Sequence, residues 1–125
     1  MSPTIELKLP ISPDFVGVLR QIVGAAAVRA DLTIDLLDDL KIACSEAAVL
    51  LIQNSLPDSA FTWEWTCRAK HVTVVAKAPA GFTSVPDFSE MEGFTWTVLS
   101  AVAKDLAVEL LDGNLTIRFS IHDSA

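Results

Sequence analysis

Apolar side chains alternate with polar ones, or form short runs, along five segments of the chain. A period of two is typical of strands that bury one face in a core and leave the other in solvent. Asp112-Gly113 between the last two segments predicts a tight hairpin turn. The predicted strands cover residues 5–11, 61–67, 71–76, 107–111 and 115–121.

In three longer segments the apolar residues recur every three or four positions, which predicts helices with one buried face. Ser12 and Thr33 precede the first two of these segments and can cap the helices. Residues 77–92 contain prolines and glycine and are predicted to form a loop. The predicted helices cover residues 13–29, 34–55 and 93–104.

The order of these elements is strand, helix, helix, hairpin, loop, helix, hairpin. Because strands and helices do not alternate regularly, the order favours an antiparallel sheet over a parallel one. We therefore predict an α+β fold of two layers, in which three helices cover one face of a mixed, mostly antiparallel five-stranded sheet. A chain of 125 residues is expected to form a single domain over residues 1–125.

The composition is that of an ordinary globular protein, with 51% apolar and 20% charged residues. The formal net charge of -7 argues against a nucleic-acid or anionic-membrane partner, because both need a basic surface. The same charge suits a partner with exposed Lys or Arg, or simply keeps the protein in solution. We find no signal-peptide pattern and no membrane-spanning apolar run, so we expect a cytoplasmic protein.

The two cysteines, Cys44 and Cys67, belong to no CxxC pair, and the sequence has no histidine cluster. No metal site is therefore predicted from them. The simpler interpretation is a pair of buried, reduced thiols, and the alternative is a sensor of oxidants.

The second predicted helix contains a single carboxylate, Glu46, within its apolar pattern. Ala43, Ala47 and Ala48 surround this carboxylate on the helix. Small residues leave room for a ligand, but they also allow a helix to pack closely on a sheet, and the residues alone favour neither. One turn later, Leu50 stands where an amide would complete a metal site.

The segment Asp38-Asp-Leu-Lys-Ile-Ala-Cys-Ser-Glu46-Ala-Ala-Val49 resembles the first conserved box of the anti-sigma-factor serine kinases of the RsbW type. Those kinases have the ATPase fold shared by histidine kinases, gyrase B, Hsp90 and MutL. The resemblance covers nearly all of the chain. It is strongest to an actinobacterial branch, the UsfX type, at Leu56-Pro57-Asp58 and at Phe94-Thr-Trp-Thr-Val-Leu99. The resemblance implies the same ATPase fold here.

In active members of that family, the box Glu acts as general base toward the acceptor serine or orients water, and an Asn four residues later binds Mg²⁺. Glu46 matches the Glu, whereas Leu50 occupies the Asn position. Leucine has no oxygen to offer to magnesium. Asn54 cannot replace it, because it lies roughly 6 Å further along the helix axis. The resemblance thus predicts no metal site.

The second box, Asp-x-Gly-x-Gly-Phe, normally holds adenine through its Asp. Aligned on Gly81-Phe82, it places Lys77 at the Asp and Pro79 at the first Gly. A cation cannot accept the adenine N–H, and proline has no backbone N–H. The third box, a Gly-x-Gly around the phosphates, keeps only Gly93, and Glu92 places an anion there.

In all three boxes, residues that would contact the nucleotide or its metal ion are replaced. Because phosphoryl transfer depends on a divalent ion for charge stabilisation, these replacements predict that the kinase site has decayed. We therefore predict an anti-sigma factor-like regulator that sequesters a sigma factor by protein contact. This interpretation favours binding over catalysis and needs no cofactor.

The alternative is an ATP-dependent serine kinase that phosphorylates an anti-anti-sigma factor, with Glu46 as the base. ATP and Mg²⁺ would then be cofactors, and the resemblance implies nucleotide contacts through Asn54, Gly81, Phe82 and Gly93. A third possibility is that the altered pocket binds an apolar small ligand.

The resemblance also implies partners: a sigma factor, an anti-anti-sigma protein with a STAS domain, and a second copy of the chain in a homodimer. Direct contact with nucleic acid or membrane is not expected. In the family, the first helix and its neighbouring loops form the dimer and sigma contacts. The candidate contact residues in this chain are Asp14, Arg20, Arg29 and Asp31.

Overall fold

The computed structural model describes residues 2–88 and 93–123. The helices are α1 (Val16–Arg29), α2 (Ile34–Asn54) and α3 (Gly93–Val102), and a short 3-10 turn at Pro13–Phe15 leads into α1. The strands are β1 (Thr4–Pro10), β2 (Ala60–Arg68), β3 (His71–Pro79), β4 (Lys104–Leu111) and β5 (Asn114–His122).

The five strands form one sheet in the order β1-β2-β3-β5-β4. All four neighbouring pairs are antiparallel, so the described part of the sheet is more regular than the mixed sheet that we expected. Two helices of opposite direction separate β1 from β2 and return the chain to the end of the sheet where β1 stops. The predicted α+β class is confirmed, and the architecture is consistent with the histidine-kinase-like ATPase fold.

Alternate residues of the central strands form the face that packs against the helices. On β2, Trp63 and Trp65 are both fully buried, and their rings stack with centroids 5.7 Å apart. Across the sheet they lie opposite the smaller residues Ala76 and Val74 of β3. This pairing of large with small residues lets one aromatic layer fill the space between sheet and helices.

The structure shifts several predicted boundaries: α1 begins at Val16 after a short 3-10 turn, β4 begins at Lys104, and β3 and α3 end elsewhere than predicted. Strand β3 continues through Pro79, where we predicted a loop from residue 77, because β5 offers pairing partners as far as Asn114. Proline is tolerated there because it ends the strand. The third helix stops at Val102 rather than at Lys104, since Lys104 already pairs with Ser120 in the sheet.

Within residues 2–88 and 93–123, no helix is long and apolar enough to span a membrane.

Candidate functional site

Helix α2 carries Glu46, Leu50 and Asn54, three of the residues that the sequence patterns singled out. Thr33 caps it as predicted, since its Oγ1 accepts a hydrogen bond from the N–H of Leu36 at 3.3 Å. The residues that α2 buries are Leu40, Ala43, Cys44, Ala47, Ala48, Leu50, Leu51 and Asn54.

The three alanines beside Glu46 are fully buried. They therefore favour close packing of α2 on its neighbours over space for a ligand, which the residues alone left open. Glu46 itself is half-buried, at the border between the packed and the exposed sides of the helix. The preceding residue, Ser45, accepts a weak hydrogen bond of 3.5 Å from Nε of Arg20, which connects α2 to α1.

Leu50 is part of the hydrophobic core, with no exposed surface. It lies one turn after Glu46, at the position where the resemblance led us to look for a magnesium ligand. Its side chain offers no donor or acceptor to an ion, and neighbouring apolar side chains enclose it. The position that would hold a metal is therefore filled with packed hydrocarbon.

Asn54, which the resemblance offered as a nucleotide contact, is 8% exposed. Its Nδ2 donates a hydrogen bond of 2.8 Å to the carbonyl oxygen of Leu50. Because α2 extends through Asn54, the backbone N–H of residue 54 is already the regular helical partner of that oxygen, and the side-chain amide is an additional donor to it. The amide of Asn54 is thus engaged within its own helix.

The exit of α2 meets the end of β3 at a corner of the fold. The N–H of Leu56 donates to the carbonyl oxygen of Pro79 at 2.9 Å. A Cβ placed on Gly81 would lie 3.4 Å from Cδ2 of Leu56, so the leucine fills the space beside this glycine. Phe82 is half-buried and packs against the core. The Gly81-Phe82 remnant of the second box therefore contributes to packing at this corner.

Lys77 lies on the face of β3 that points away from the helices. Its neighbours Ala76 and Ala78 are buried on the helix side, and side chains alternate along a strand. Lys77 is exposed and lies opposite Thr62 and Thr116 on the polar face of the sheet. A residue at this position cannot face α2, whatever its side chain.

The remnant of the third box is described only in part. Gly93 begins α3, and a Cβ placed on it would have nothing within 4 Å, so its surroundings are open. Glu92 lies outside the described residues.

The side chains that are present do not fit a complex of Mg²⁺ and ATP. Leu50 is packed in the core, and Lys77 is a cation on the far face of the sheet. The carboxylate of Glu46 could contact an ion, but neither of these two positions, 50 or 77, supplies a second oxygen ligand beside it. We derive no phosphoryl-transfer step from this geometry.

The four predicted contact residues on and around α1 fall into two pairs. Asp14 and Arg20 lie at its start, while Arg29 and Asp31 lie at its end. Because the two arginines are nine positions apart on the helix, they lie roughly 14 Å apart along its axis. The four candidate contact residues thus lie in two groups, at the two ends of α1.

Arg20 lines a groove of about 410 Å³ between the start of α1 and the end of α2. The groove is largely apolar, with Val16, Val49 and Ile52 among its lining residues. Among the described residues that line it, Arg20 is the one cation. The groove thus combines an apolar floor with a single guanidinium.

The two cysteines are free and buried, as predicted. Burial raises the pKa of the Cys44 thiol to about 12, and the neighbouring Trp65 side chain offsets only part of that rise. Burial also raises the pKa of Cys67, against the opposing charge of Arg29. Since the thiolate is the reactive form, both thiols are poorly suited to sensing oxidants.

A cluster that we did not predict lies at the end of the sheet where β2 turns into β3. His71 and His122 are opposite each other on β3 and β5, and their rings stack with centroids 4.6 Å apart. Nη2 of Arg68 lies 3.3 Å from Nε2 of His71, so the guanidinium donates and the ring nitrogen accepts. The local hairpin brings Arg68 to His71, whereas the pairing of β3 with the distant strand β5 brings His71 to His122, and no local motif signals that second contact.

Known proteins resemble this chain over 41% to 82% of its length. The anti-sigma-F factor RsbW of Mycobacterium tuberculosis is 31% identical to it over 102 residues, which cover 82% of this chain. The serine-protein kinase RsbW of Bacillus velezensis is 41% identical over 54 residues, or 43% of this chain. That of Bacillus subtilis is 41% identical over 51 residues, or 41% of this chain. No family model matches the chain.

The matched regions are only parts of these relatives. They span 59% of the mycobacterial protein, 34% of the Bacillus velezensis protein and 32% of the Bacillus subtilis protein. The similarity with the protein named as an anti-sigma factor is therefore broad, whereas the similarity with the proteins named as kinases is higher but confined to a shorter stretch.

Proposed function

This chain belongs to the RsbW-type family, and from that premise we propose that it is an anti-sigma factor that sequesters a sigma factor by direct binding. The observation that carries the proposal is the full burial of Leu50, at the position where a magnesium-dependent kinase needs an oxygen ligand. The sheet and helices of the family persist while the chemistry of the metal position is gone. That combination supports a role in binding.

The mechanism is occlusion. The bound protein covers surfaces of the sigma factor that RNA polymerase needs, and an anti-anti-sigma protein with a STAS domain competes for it and releases the sigma factor. We place this activity in the cytoplasm, with the protein as a homodimer. The net charge of -7 supports binding to protein rather than to nucleic acid.

We assign the sigma contact to the groove beside Arg20. An apolar floor and an exposed arginine are the combination that anchors many protein interfaces, because the hydrocarbon supplies area and the guanidinium supplies directed hydrogen bonds. The groove is formed by α1, α2 and the turn that precedes α1, so its walls are regular elements of the fold.

Co-purification followed by reconstitution tests this function. Tagged protein is mixed with cytosol of the native host, captured proteins are identified by mass spectrometry, and any sigma subunit found is then purified and titrated by calorimetry. We expect a sigma factor to bind in the micromolar range or more tightly. We expect Arg20→Glu to weaken binding at least tenfold and Lys41→Glu, an exposed charge reversal elsewhere on α2, to leave it nearly unchanged.

A negative result in this design is informative. Absence of every sigma subunit from the captured proteins, together with no heat of binding to the purified sigma factors of the host, contradicts the function. Equal losses for Arg20→Glu and Lys41→Glu contradict the assigned groove but not the function.

The kinase alternative is separated by titration with Mg·ATP. We expect no saturable binding, because the metal position is filled by hydrocarbon. Micromolar binding that Glu46→Ala abolishes, or transfer of labelled phosphate to an anti-anti-sigma protein, would establish the kinase function instead.

A further inference from the structure

A second surface lies at the opposite end of α1, on the side of the fold away from the Arg20 groove. A pocket of about 400 Å³ is formed there by the first residues of the chain, the end of α1 and the end of β2. Its walls are held by backbone hydrogen bonds, from Cys67 N–H to the carbonyl of Pro3 at 2.8 Å and from Lys70 N–H to that of Ala30 at 2.6 Å. The pocket is therefore a fixed feature of the fold.

The charge of this pocket is opposite to that of the whole chain. Arg29 and Arg68 line it, and both are exposed. Among the described lining residues the one carboxylate, Asp31, is in an ion pair with Lys70 at 3.6 Å. Within the described part of the chain, neither arginine has a carboxylate within ion-pair distance. The two guanidiniums thus leave the pocket cationic in a protein of net charge -7.

Exposed apolar side chains flank the pocket in sequence. Val28 is 81% exposed and Ile34 is 76% exposed, three residues before and three residues after Asp31. A partner segment that extends beyond the pocket would remove their apolar surface from water.

We propose that this basic pocket docks a short protein segment that carries both carboxylates and apolar side chains, such as an acidic amphipathic helix. Arginine forms paired hydrogen bonds with a carboxylate, and the two guanidiniums offer such a fork on each wall. The apolar side chains of the segment would cover Val28 and Ile34. This proposal goes beyond the sequestration of a sigma factor and does not rest on it.

A protein segment fits this surface better than a nucleic acid or a membrane does. A nucleic acid or an anionic bilayer presents a long array of negative charge, which the acidic remainder of the chain repels. A segment of a few turns contacts the pocket alone, and charges beyond about 8 Å are screened at physiological salt. The small cationic area therefore selects a small anionic partner.

The test uses a defined probe and the full chain. A synthetic helical peptide with glutamates on one face and leucines on the adjacent face is titrated into ¹⁵N-labelled protein, and amide shifts are followed. We expect the shifts to concentrate in residues 28–34 and 67–70. We expect Arg29→Glu with Arg68→Glu to lower the affinity at least tenfold, and the milder pair Arg29→Gln with Arg68→Gln to lower it at least threefold.

The matched control is the double variant Lys8→Glu with Lys41→Glu, which changes the net charge by the same amount at sites outside the pocket. We expect less than a twofold change for it. Equal losses in the two Glu variants would show attraction by net charge only and overturn the proposal. So would shifts centred elsewhere, equal binding of a Gln-for-Glu peptide, or tighter binding at the pocket of a DNA duplex or of phosphatidylserine vesicles.

Discussion

Replacing Leu50 by asparagine restores, in sequence, the amide that a magnesium site of this family needs. From the structure we expect this substitution to cause a loss of stability and no gain of Mg·ATP binding. Because the side chain of Leu50 is fully buried in the core, an amide at this position would enter hydrocarbon and not a ligand pocket. We therefore expect Leu50→Asn to destabilise the fold strongly and to leave Mg·ATP binding absent.

The size of the effect is set by the burial. Full burial of a leucine side chain contributes about 1.5–3 kcal/mol, most of which asparagine forfeits. A buried amide without partners costs about 1–3 kcal/mol more. The amide of Asn54 already donates its hydrogen bond to the backbone carbonyl of residue 50, so this donor is not left over for a new side-chain amide at that position. A loss of about 4 kcal/mol is a large part of the roughly 5–15 kcal/mol typical of a whole domain.

Urea unfolding at 25 °C, followed by tryptophan fluorescence, measures the loss. Trp63 and Trp65 are both buried in the core and should report its disruption. The matched control is Ile42→Asn, an apolar-to-amide change on the same helix at a residue that is 40% exposed. We expect that control to cost about 1 kcal/mol or less, because surface substitutions rarely cost more.

Two results would refute the reasoning. If Leu50→Asn costs no more than Ile42→Asn, the side chain at position 50 does not lie in a packed core. If Mg·ATP raises the unfolding midpoint of Leu50→Asn but not that of the wild type, the position lines a nucleotide site that a single amide completes.

Three further results are expected. Burial, and after it the charges of Arg68 and His122, lower the pKa of His71 below 6.5, and Asp105 opposes this shift. Because the unfolded chain therefore binds a proton at His71 more readily than the folded protein does, the free energy of unfolding should fall as the pH drops below about 6.5. Urea titrations at several pH values measure this dependence, and His71→Gln should make it flatter. In the folded protein, Cys44 should not react with a thiol reagent at mildly alkaline pH, because burial raises its pKa to about 12, whereas fast labelling of Cys44 would contradict this burial. Thr33→Ala should cost about 1 kcal/mol by calorimetry through loss of the α2 cap, and no loss would show that the 3.3 Å bond contributes nothing.

Local patterns sufficed for the elements themselves. Alternation around Trp63 and Trp65 predicted β2 and its buried aromatic face, which the structure confirms. Asp112 and Gly113 predicted the closing hairpin, and both have positive φ angles, of 52° and 79°, as a two-residue hairpin turn of this kind requires. In these cases the signal lies within a few residues, so no knowledge of distant contacts was needed.

The order and extent of the strands depend on distant partners, which local sequence patterns do not reveal. Strand β3 reaches Pro79 only because β5 pairs with it that far. That pairing in turn decides that Lys77 faces away from α2, which its alignment with an adenine-binding Asp did not indicate. The stack of His71 on His122 has the same origin, as no local feature of either residue indicates the other.

The buried side chain of Leu50 and the proposed binding surface beside Arg20 lie in different parts of the helical layer. Leu50 lies on the inner side of α2, where its side chain contributes to the core, while Arg20 lies on the outer side of the helical layer beside an open groove. A hydrocarbon side chain in place of an amide at position 50 can thus preserve or strengthen the fold without changing the groove beside Arg20. In a protein that acts by binding, a packed leucine at this position is the more stable choice. In a protein that transfers phosphate, the same residue would remove the ion on which the reaction depends. Leucine at position 50, rather than a residue with an oxygen ligand, is therefore what we expect of a fold whose surface binds a partner.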